Sequence, residues 1–151
     1  MLVVETPQDL KAHKGEELVG DWLEITQERI NLFAEATGDH QWIHVDVEKA
    51  AKEMPGGKTI AHGFLTLSLL PMLGQQLWKV NKTSRGINYG SNKVRFTNTV
   101  PVGSRVRLML TFKDFEDMDG NGVKITGQNV IAIAGQDRPA LVAETISILY
   151  A

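Results

Sequence analysis

Chemically useful side chains are concentrated in one short segment, which runs from Gly38 to Asp46. Asp39 opens this segment, and His44 follows five positions later between two apolar residues. Five residues at ~3.3 Å each let the chain fold back on itself, so the carboxylate and the imidazole can converge on one polar spot. A pair of this kind is suited to general acid–base catalysis, in which side chains take up and deliver protons.

The elements on either side of the segment are predicted to fix the positions of this pair. A helix from about Gln27 to Ala36 is predicted by the helical spacing of its apolar residues. Thr26 can cap its first turn, and Gly38 suits the left-handed conformation in which many helices end. Beyond the segment, Asp46 can cap a second short helix, which the run Met54-Pro55-Gly56-Gly57 then interrupts.

A longer apolar stretch extends from His62 to about Val80 and leaves no wide polar face. This composition predicts a helix that is buried on all sides, with a kink or a break at Pro71. The span from Thr59 to Trp78 carries no formally charged residue and has a length that would suit a membrane helix, but polar residues such as Gln75 and Gln76 interrupt the apolar run, so a core helix is favoured. Gly63, at the start of this helix, offers unpaired backbone N–H groups and no side chain, which suits a developing oxyanion.

Beyond Asn81 the apolar pattern changes to a period of two, which predicts antiparallel strands. Residues predicted to share a strand face are Val106, Leu108, Leu110 and Phe112 in one strand, and Val142, Ile146, Ile148 and Tyr150 in the last. The run Asp119-Gly120-Asn121-Gly122 is a strong hairpin signal, and Gly127 is a predicted bulge. Because the apolar helix must be covered, the sequence predicts an α+β fold in which an antiparallel sheet wraps around a central helix.

Several motifs resemble those of one known family, the MaoC-like dehydratases or (R)-specific enoyl-CoA hydratases. The motifs cover most of the chain from about Gly20 and are Phe33-Ala34-Glu35-Ala36-Thr37-Gly38-Asp39, His44-Val45-Asp46, Ala61-His62-Gly63-Phe64-Leu65-Thr66, Asn88-Tyr89-Gly90, Lys93-Val94-Arg95-Phe96 and Pro101-Val102-Gly103. Gln41-Trp42 stands where most hydratases have Asn-Pro, as in the nodulation protein N-like subgroup. The resemblance implies a single hot-dog domain over residues 1–151.

Individual roles follow from the same resemblance. It assigns catalysis to Asp39 and His44, and the oxyanion contact to the amide of Gly63. Gln41 can hold the attacking water or orient His44, although it replaces the usual Asn. Ser68 matches a serine of some members, but a hydroxyl bonded back to the preceding helical turn is an equally good interpretation. Without the resemblance, Asp39 would be interpreted as a turn residue and His44 as a satisfied core histidine.

The function that the resemblance implies is that of a hydro-lyase. The chain would be an (R)-specific enoyl-CoA hydratase or 3-hydroxyacyl thioester dehydratase, with a coenzyme A or acyl-carrier thioester as substrate and with no cofactor. A metal site is a poor alternative, because Asp39, His44, Asp46 and His62 show no repeated short ligand spacing. Two other functions stay open: a hot-dog acyl-CoA thioesterase, and a non-catalytic acyl-thioester-binding module.

Composition limits the partners and the compartment. The 151 residues include 16 basic and 18 acidic ones, and the net charge of −2 gives no basic field for nucleic acid or an anionic membrane. The chain has no cysteine, and its N-terminus lacks the features of a signal peptide, so a cytoplasmic protein is predicted.

Two expectations concern binding and assembly. The anionic end of coenzyme A would need basic residues at the pocket mouth, and those available on outward strand faces are Lys93, Arg95, Arg105 and Arg107. These side chains are equally well interpreted as ordinary solvated surface. Open edge strands and the resemblance both predict a homodimer whose pockets are lined by two chains.

Overall fold

The structure is a computed structural model that describes residues 1–151. Its strands are β1 (Leu2–Val4), β2 (Glu17–Val19), β3 (Leu23–Glu24), β4 (Trp78–Val80), β5 (Arg85–Phe96), β6 (Arg105–Met118), β7 (Gly122–Ile133) and β8 (Leu141–Tyr150). Its α-helices are α1 (Gln27–Thr37), α2 (Trp42–Val45), α3 (Val47–Glu53), α4 (Gly63–Ser68) and α5 (Leu70–Gly74), and a 3-10 helix spans Pro7–His13.

The main sheet has the strand order β2-β6-β7-β8-β5, with β3 also paired to β6, and all these pairs are antiparallel. The tight connection between β6 and β7 is the predicted hairpin, in which Gly120 and Asn121 adopt φ values of 73° and 59°. Such left-handed turn residues match the right-handed twist of paired strands. The long hairpin strands β6 and β7 therefore form the middle of the sheet.

The hydrophobic core lies between the inner face of this sheet and helices α4 and α5. It contains 23 buried residues in one cluster. In β6 the predicted face is confirmed, since Val106, Leu108, Leu110 and Phe112 are all buried. The α+β arrangement of a sheet around central helices is thus as predicted.

The central helix differs from its prediction in length and in burial. It stops at Gly74, and Trp78–Val80 forms a strand that pairs in parallel with Leu2–Val4. A break precedes Pro71, where α4 ends and α5 begins, as predicted. Burial on all sides is wrong, because Phe64 is 66% exposed. The helix therefore covers the sheet with one face only and presents the other to its surroundings.

Two predictions about strands β7 and β8 also need correction. The register shift lies between Phe112 and Asp114 of β6, so the irregularity is in the strand opposite Gly127 and not at Gly127 itself. In β8 the residues that enter the core cluster are Leu141, Ala143 and Leu149, which alternate with the predicted apolar set, and of that set only Ile148 is buried. None of the helices is long and apolar enough to cross a membrane.

Candidate active site

The segment around Asp39 is held between two well-capped helices. Thr26 accepts a hydrogen bond from the Arg29 N–H at 3.2 Å to cap α1, and Gly38 ends that helix with φ 79°. At the other end, the Asp46 carboxylate caps α3 by accepting from the Lys49 N–H at 3.0 Å. Between these caps the chain forms α2, a single helical turn. This turn carries His44 into the interior.

His44 is buried and its ring orientation is fixed. Only 7% of the residue is exposed, and Nδ1 lies 2.7 Å from the backbone oxygen of Ile60. Because a carbonyl can only accept, Nδ1 carries the proton and Nε2 keeps its lone pair. Burial lowers the pKa of His44 below its ordinary value of 6.5; the His62 ring lowers it too, while the Ile60 carbonyl and Asp39 oppose the shift. The ring is therefore a neutral base at neutral pH.

The structure brings Asp39 and His44 together, as the spacing predicted. The ligand atoms of Asp39, His44 and His62 all lie within 4.8 Å of one another. No direct hydrogen bond joins the Asp39 carboxylate to the His44 ring, and a gap of this size is spanned by one water molecule. Asp39 is exposed, so this polar spot is open to solvent on the carboxylate side.

His62 is the third member of the cluster and is buried more deeply, at 2% exposure. Its ring stacks on that of His44 with the centroids 3.9 Å apart and an interplanar angle of 24°. Its Nε2 donates to the backbone oxygen of Asp39 at 2.9 Å, and its buried Nδ1 has no partner. Nothing in the local sequence indicates this role, since the two residues are 23 positions apart in the chain.

The same three side chains do not form a good metal site, although their ligand atoms are close. The nitrogens left free are Nε2 of His44 and Nδ1 of His62, each on a ring whose other nitrogen is bonded to a carbonyl. One ion would have to lie in both ring planes at ~2.0–2.1 Å from each nitrogen. Rings stacked 3.9 Å apart and only 24° from parallel do not meet this condition.

A buried polar clamp holds the α2 turn from behind. Thr59 is 1% exposed, and its hydroxyl donates to Oε1 of Gln27 at 2.5 Å. The same Gln27 side chain donates from Nε2 to the backbone oxygen of His44 at 2.7 Å. The Ile60 N–H also donates to the backbone oxygen of Ile43 at 3.0 Å. Nothing in the local sequence pattern signals this clamp, because its parts come from separate segments.

Gly63 begins α4 at the edge of a small pocket of about 480 Å³ that His44 also lines. As the first residue of the helix, its N–H has no partner within the helix. A Cβ at this position would lie 3.0 Å from Cγ of Phe96, so a larger residue here would require the Phe96 ring to shift by a few tenths of an ångström. We name the space lined by His44, Gly63, Thr66, Phe96 and Arg138, with their neighbours, the small pocket.

The other two predicted site residues, Gln41 and Ser68, do not join the cluster of Asp39, His44 and His62. Gln41 is exposed, and its backbone N–H, rather than its side chain, donates a hydrogen bond to Oδ1 of Asp39 at 3.3 Å. The Ser68 hydroxyl donates to the Phe64 backbone oxygen at 2.6 Å, which is the structural interpretation of that serine.

The basic residues named from the sequence lie outside the small pocket, and two of them, Arg105 and Arg107, pack over the ring of Trp22. Arg138 is the basic residue that lines the pocket. It lies in the connection between β7 and β8, where the sequence showed no binding motif.

Comparisons with known proteins agree with this geometry. The family model described as "MaoC like domain" matches residues 9–133. A 3-hydroxyacyl-thioester dehydratase Z from Mycobacterium tuberculosis (strain CDC 1551 / Oshkosh) is 51% identical over 147 residues, which are 97% of each chain. Nodulation protein N from Rhizobium leguminosarum bv. viciae is 41% identical over 143 residues, or 93% of this chain and 89% of the relative.

Among solved structures, the Monoamine oxidase regulatory protein from Archaeoglobus fulgius matches with a TM-score of 0.75 at 26% identity, covering 91% of both chains. The predicted hot-dog fold is confirmed by this match.

Proposed function

Because the chain belongs to the family of MaoC-like domains, we propose that it is a hydro-lyase that adds water reversibly to a trans-2-enoyl thioester. It would act as an (R)-specific enoyl-CoA hydratase or 3-hydroxyacyl-thioester dehydratase. The observation that carries this proposal is the convergence of Asp39 and the neutral His44 within 4.8 Å, beside the start of α4. The 51% identical relative named as a dehydratase supports it.

In the proposed reaction, a water molecule lies between the Asp39 carboxylate and Nε2 of His44. His44 takes a proton from this water while the water oxygen forms a bond to C3 of the enoyl group. The pair then delivers a proton to C2, so that both side chains return to their starting state and the elements of water have been added. The bond from Nδ1 of His44 to the Ile60 oxygen holds the basic nitrogen toward this water.

Negative charge that develops on the thioester oxygen needs a donor, and the free N–H of Gly63 is suited to that role. The glycine lines the same small pocket as His44, so one bound thioester can meet both groups. The reaction proposed here requires neither a metal ion nor an organic cofactor. The Arg138 side chain is the positive group placed to meet an anionic carrier at this pocket.

The proposed active form is a homodimer that forms through β5. This strand lies at the edge of the sheet, and all its residues except Val94 are exposed. Large apolar side chains share this region, with exposures of 65% for Tyr89, 46% for Ile87, 43% for Phe96 and 66% for Phe64. An apolar patch beside an unpaired edge strand favours association with a second copy. The acyl group would then lie between two subunits.

The decisive experiment is to incubate the protein with crotonyl-CoA and with longer enoyl-CoA substrates. Loss of enoyl absorbance without release of free thiol, together with an (R)-3-hydroxyacyl product, is the expected result. Release of thiol would instead identify a thioesterase. Binding of the thioester with neither signal would identify a non-catalytic acyl-binding module, and the hydro-lyase proposal would then be wrong.

A further inference from the structure

A second and larger cavity lies beyond the small pocket, between the helices and the inner face of the sheet. Its volume is about 890 Å³, within the range of ~300–1,000 Å³ that is usual for small-molecule sites. Thr66 lines the small pocket, and the next two residues of α4, Leu67 and Ser68, line the large cavity. A chain that starts at Gly63 and follows the helix therefore enters the large cavity.

The wall of the large cavity on β8 is partly polar. The residues of this strand that line the cavity are Thr145, Ile146, Ser147 and Leu149, so two hydroxyl groups stand among its apolar side chains. A dry sheet core would favour apolar side chains at all of these positions. On the paired strand β5, Asn88 lies opposite Ser147 and also lines the cavity. A polar band thus crosses the inner face of the sheet.

Asn129 of β7 adds a fixed hydrogen-bond acceptor to this band. The residue is only 4% exposed, and its Nδ2 donates to the backbone oxygens of Gly127 at 3.1 Å and Ala143 at 3.3 Å and to the Thr145 hydroxyl at 2.8 Å. Two carbonyl acceptors fix the orientation of the amide, so Oδ1 must point away from them. Oδ1 accepts no hydrogen bond from the chain.

Oδ1 of Asn129 is nevertheless accessible from the cavity. Two polar side-chain atoms, Nδ1 of His62 and Nε of Arg107, are fully buried and have no hydrogen-bond partner. Oδ1 of Asn129 also lacks a partner but is not fully buried, so part of its surface is accessible. Since Asn129 lines the large cavity, its acceptor is turned to whatever occupies that space. An occupant without a donor would leave this acceptor unpaired, at a cost of ~1–3 kcal/mol.

We infer that the large cavity binds the acyl tail of an enoyl thioester that carries a hydroxyl group remote from the thioester. This inference rests on the proposed function and specifies its substrate class. The tail hydroxyl donates to Oδ1 of Asn129 and accepts from the Thr145 or Ser147 hydroxyl. The alkyl part packs on the apolar lining, which includes Leu110 and Leu149.

The test compares enoyl-CoA substrates of one carbon number, either plain or with a hydroxyl at successive positions of the tail. We expect the best hydroxylated substrate to exceed the plain one by at least ~10-fold in kcat/KM, which corresponds to one net hydrogen bond of ~1.4 kcal/mol. Equal values, or a preference for the plain chain, would overturn the inference while leaving the hydro-lyase proposal intact. Failure to hydrate any substrate would overturn the proposed function itself.

Substitutions of residues that line the large cavity test whether the preference for a hydroxylated tail arises there. Asn129→Leu removes the acceptor and should abolish the preference for the hydroxylated tail. Thr145→Val removes one hydroxyl without changing the shape of the side chain and should reduce the preference, since the Asn129 acceptor and the Ser147 hydroxyl remain. Thr145→Val decides the matter if Asn129→Leu fails to fold, since Asn129 also binds two backbone carbonyls. Thr126→Val, on the outward face of β7, is the matched control and should keep the wild-type ratio.

The arm that links the coenzyme A or acyl carrier to the thioester is the other part of the substrate that could donate a hydrogen bond in this cavity. If it occupied the cavity, Thr145→Val would raise KM equally for plain and hydroxylated substrates. That outcome would contradict the assignment of the cavity to the acyl tail.

Discussion

At the scale of single residues, the site depends on keeping one imidazole neutral and oriented. His44 has its Nδ1 proton bonded to a carbonyl and its Nε2 free, while His62 stacks against the same ring. The other nitrogen of His62, Nδ1, is buried and has no hydrogen-bond partner. His44 presents its free Nε2 in the cluster with Asp39.

The catalytic pair predicts a large loss of turnover when either member is neutralised. We expect Asp39→Asn and His44→Asn each to lower kcat at least ~10²-fold, because each removes a proton-transfer group. Steady-state hydration of crotonyl-CoA measures the effect, and thermal unfolding checks that the fold is kept. The double variant should be little worse than the worse single variant, since both groups act on one water. Turnover near the wild-type value in either single variant would rule out the pair.

The lowered pKa of His44 predicts a definite pH dependence. Burial and His62 lower this pKa below 6.5, so the unfolded chain binds more protons than the folded one as the pH falls below about 6.5. Stability linked to His44 is therefore fully present above that pH and is lost toward the lower folded-state pKa. NMR titration of the His44 ring should give a midpoint below 6.5, and the acidic limb of kcat/KM should follow it.

His62→Gln tests the cause of this shift. Because the His62 ring lowers the pKa of His44, we expect the variant to move the His44 midpoint to higher pH. His40→Gln, at an exposed position outside the cluster, is the control and should leave the midpoint unchanged. A wild-type midpoint at or above 6.5 would contradict the interpretation of His44 as a buried neutral base.

At the scale of elements, the site is assembled where the start of α4 meets the end of β5. The Phe96 ring covers Gly63 so closely that a Cβ there would lie 3.0 Å from Cγ. The sequence suggested that glycine stands here because the missing side chain and the free N–H suit a developing oxyanion. The structure gives a second reason for glycine, which is the close approach of the Phe96 ring. Experiments must therefore separate the packing role of Gly63 from its catalytic role.

A double variant achieves that separation. Gly63→Ala alone should destabilise the fold by ~1–3 kcal/mol through the clash with Phe96. Adding Phe96→Leu should recover much of that stability, as measured by urea unfolding. If Gly63 also contacts the thioester oxygen, kcat stays at least ~10-fold low in the double variant because the methyl group obstructs that oxygen. Recovery of kcat together with stability would show that Gly63 serves packing alone. Gly20→Ala, whose Cβ would have its nearest neighbour at 3.4 Å, is the control.

At the scale of the whole molecule, the two edges of the sheet differ: one is formed by the short strands β2 and β3 and the other by the long strand β5. β6 carries β2 and β3 on its outer side, whereas β5 has no neighbour beyond β8. The exposed face of α4 lies beside this open edge, with the rings of Phe64 and Phe96 5.7 Å apart. The large cavity is lined in part by β5, so a second copy at this edge would help to enclose it.

The open edge predicts a dimer in solution. Light scattering or sedimentation should report about twice 16.7 kDa at micromolar concentration. Tyr89→Glu, which sets a charge in the exposed apolar patch, should shift the protein toward the monomer and lower its activity with it. A fully active monomer on dilution would refute the shared pocket while leaving the chemistry of Asp39 and His44 intact.

The sequence by itself determined the features that depend on neighbours along the chain. The bounds of α1 follow from Thr26 and Gly38, and the hairpin follows from Asp119 to Gly122. The nearness of Asp39 and His44 follows from the short connection between them, since few residues leave few ways to separate them. These features are local because caps, turns and short loops are satisfied by residues within one or two turns.

Only the tertiary structure decided which distant groups meet. His62 joins Asp39, Gln27 joins Thr59, and Phe96 covers Gly63, all through contacts between separate segments. The alternation of residues along β8 could not show which of its two faces points inward, because a period of two fits either face equally well until the sheet packs on the helices. Likewise, Trp78–Val80 became a strand instead of the helix end because Leu2–Val4 lies beside it to pair with. Long-range packing, and not local preference, completes this site.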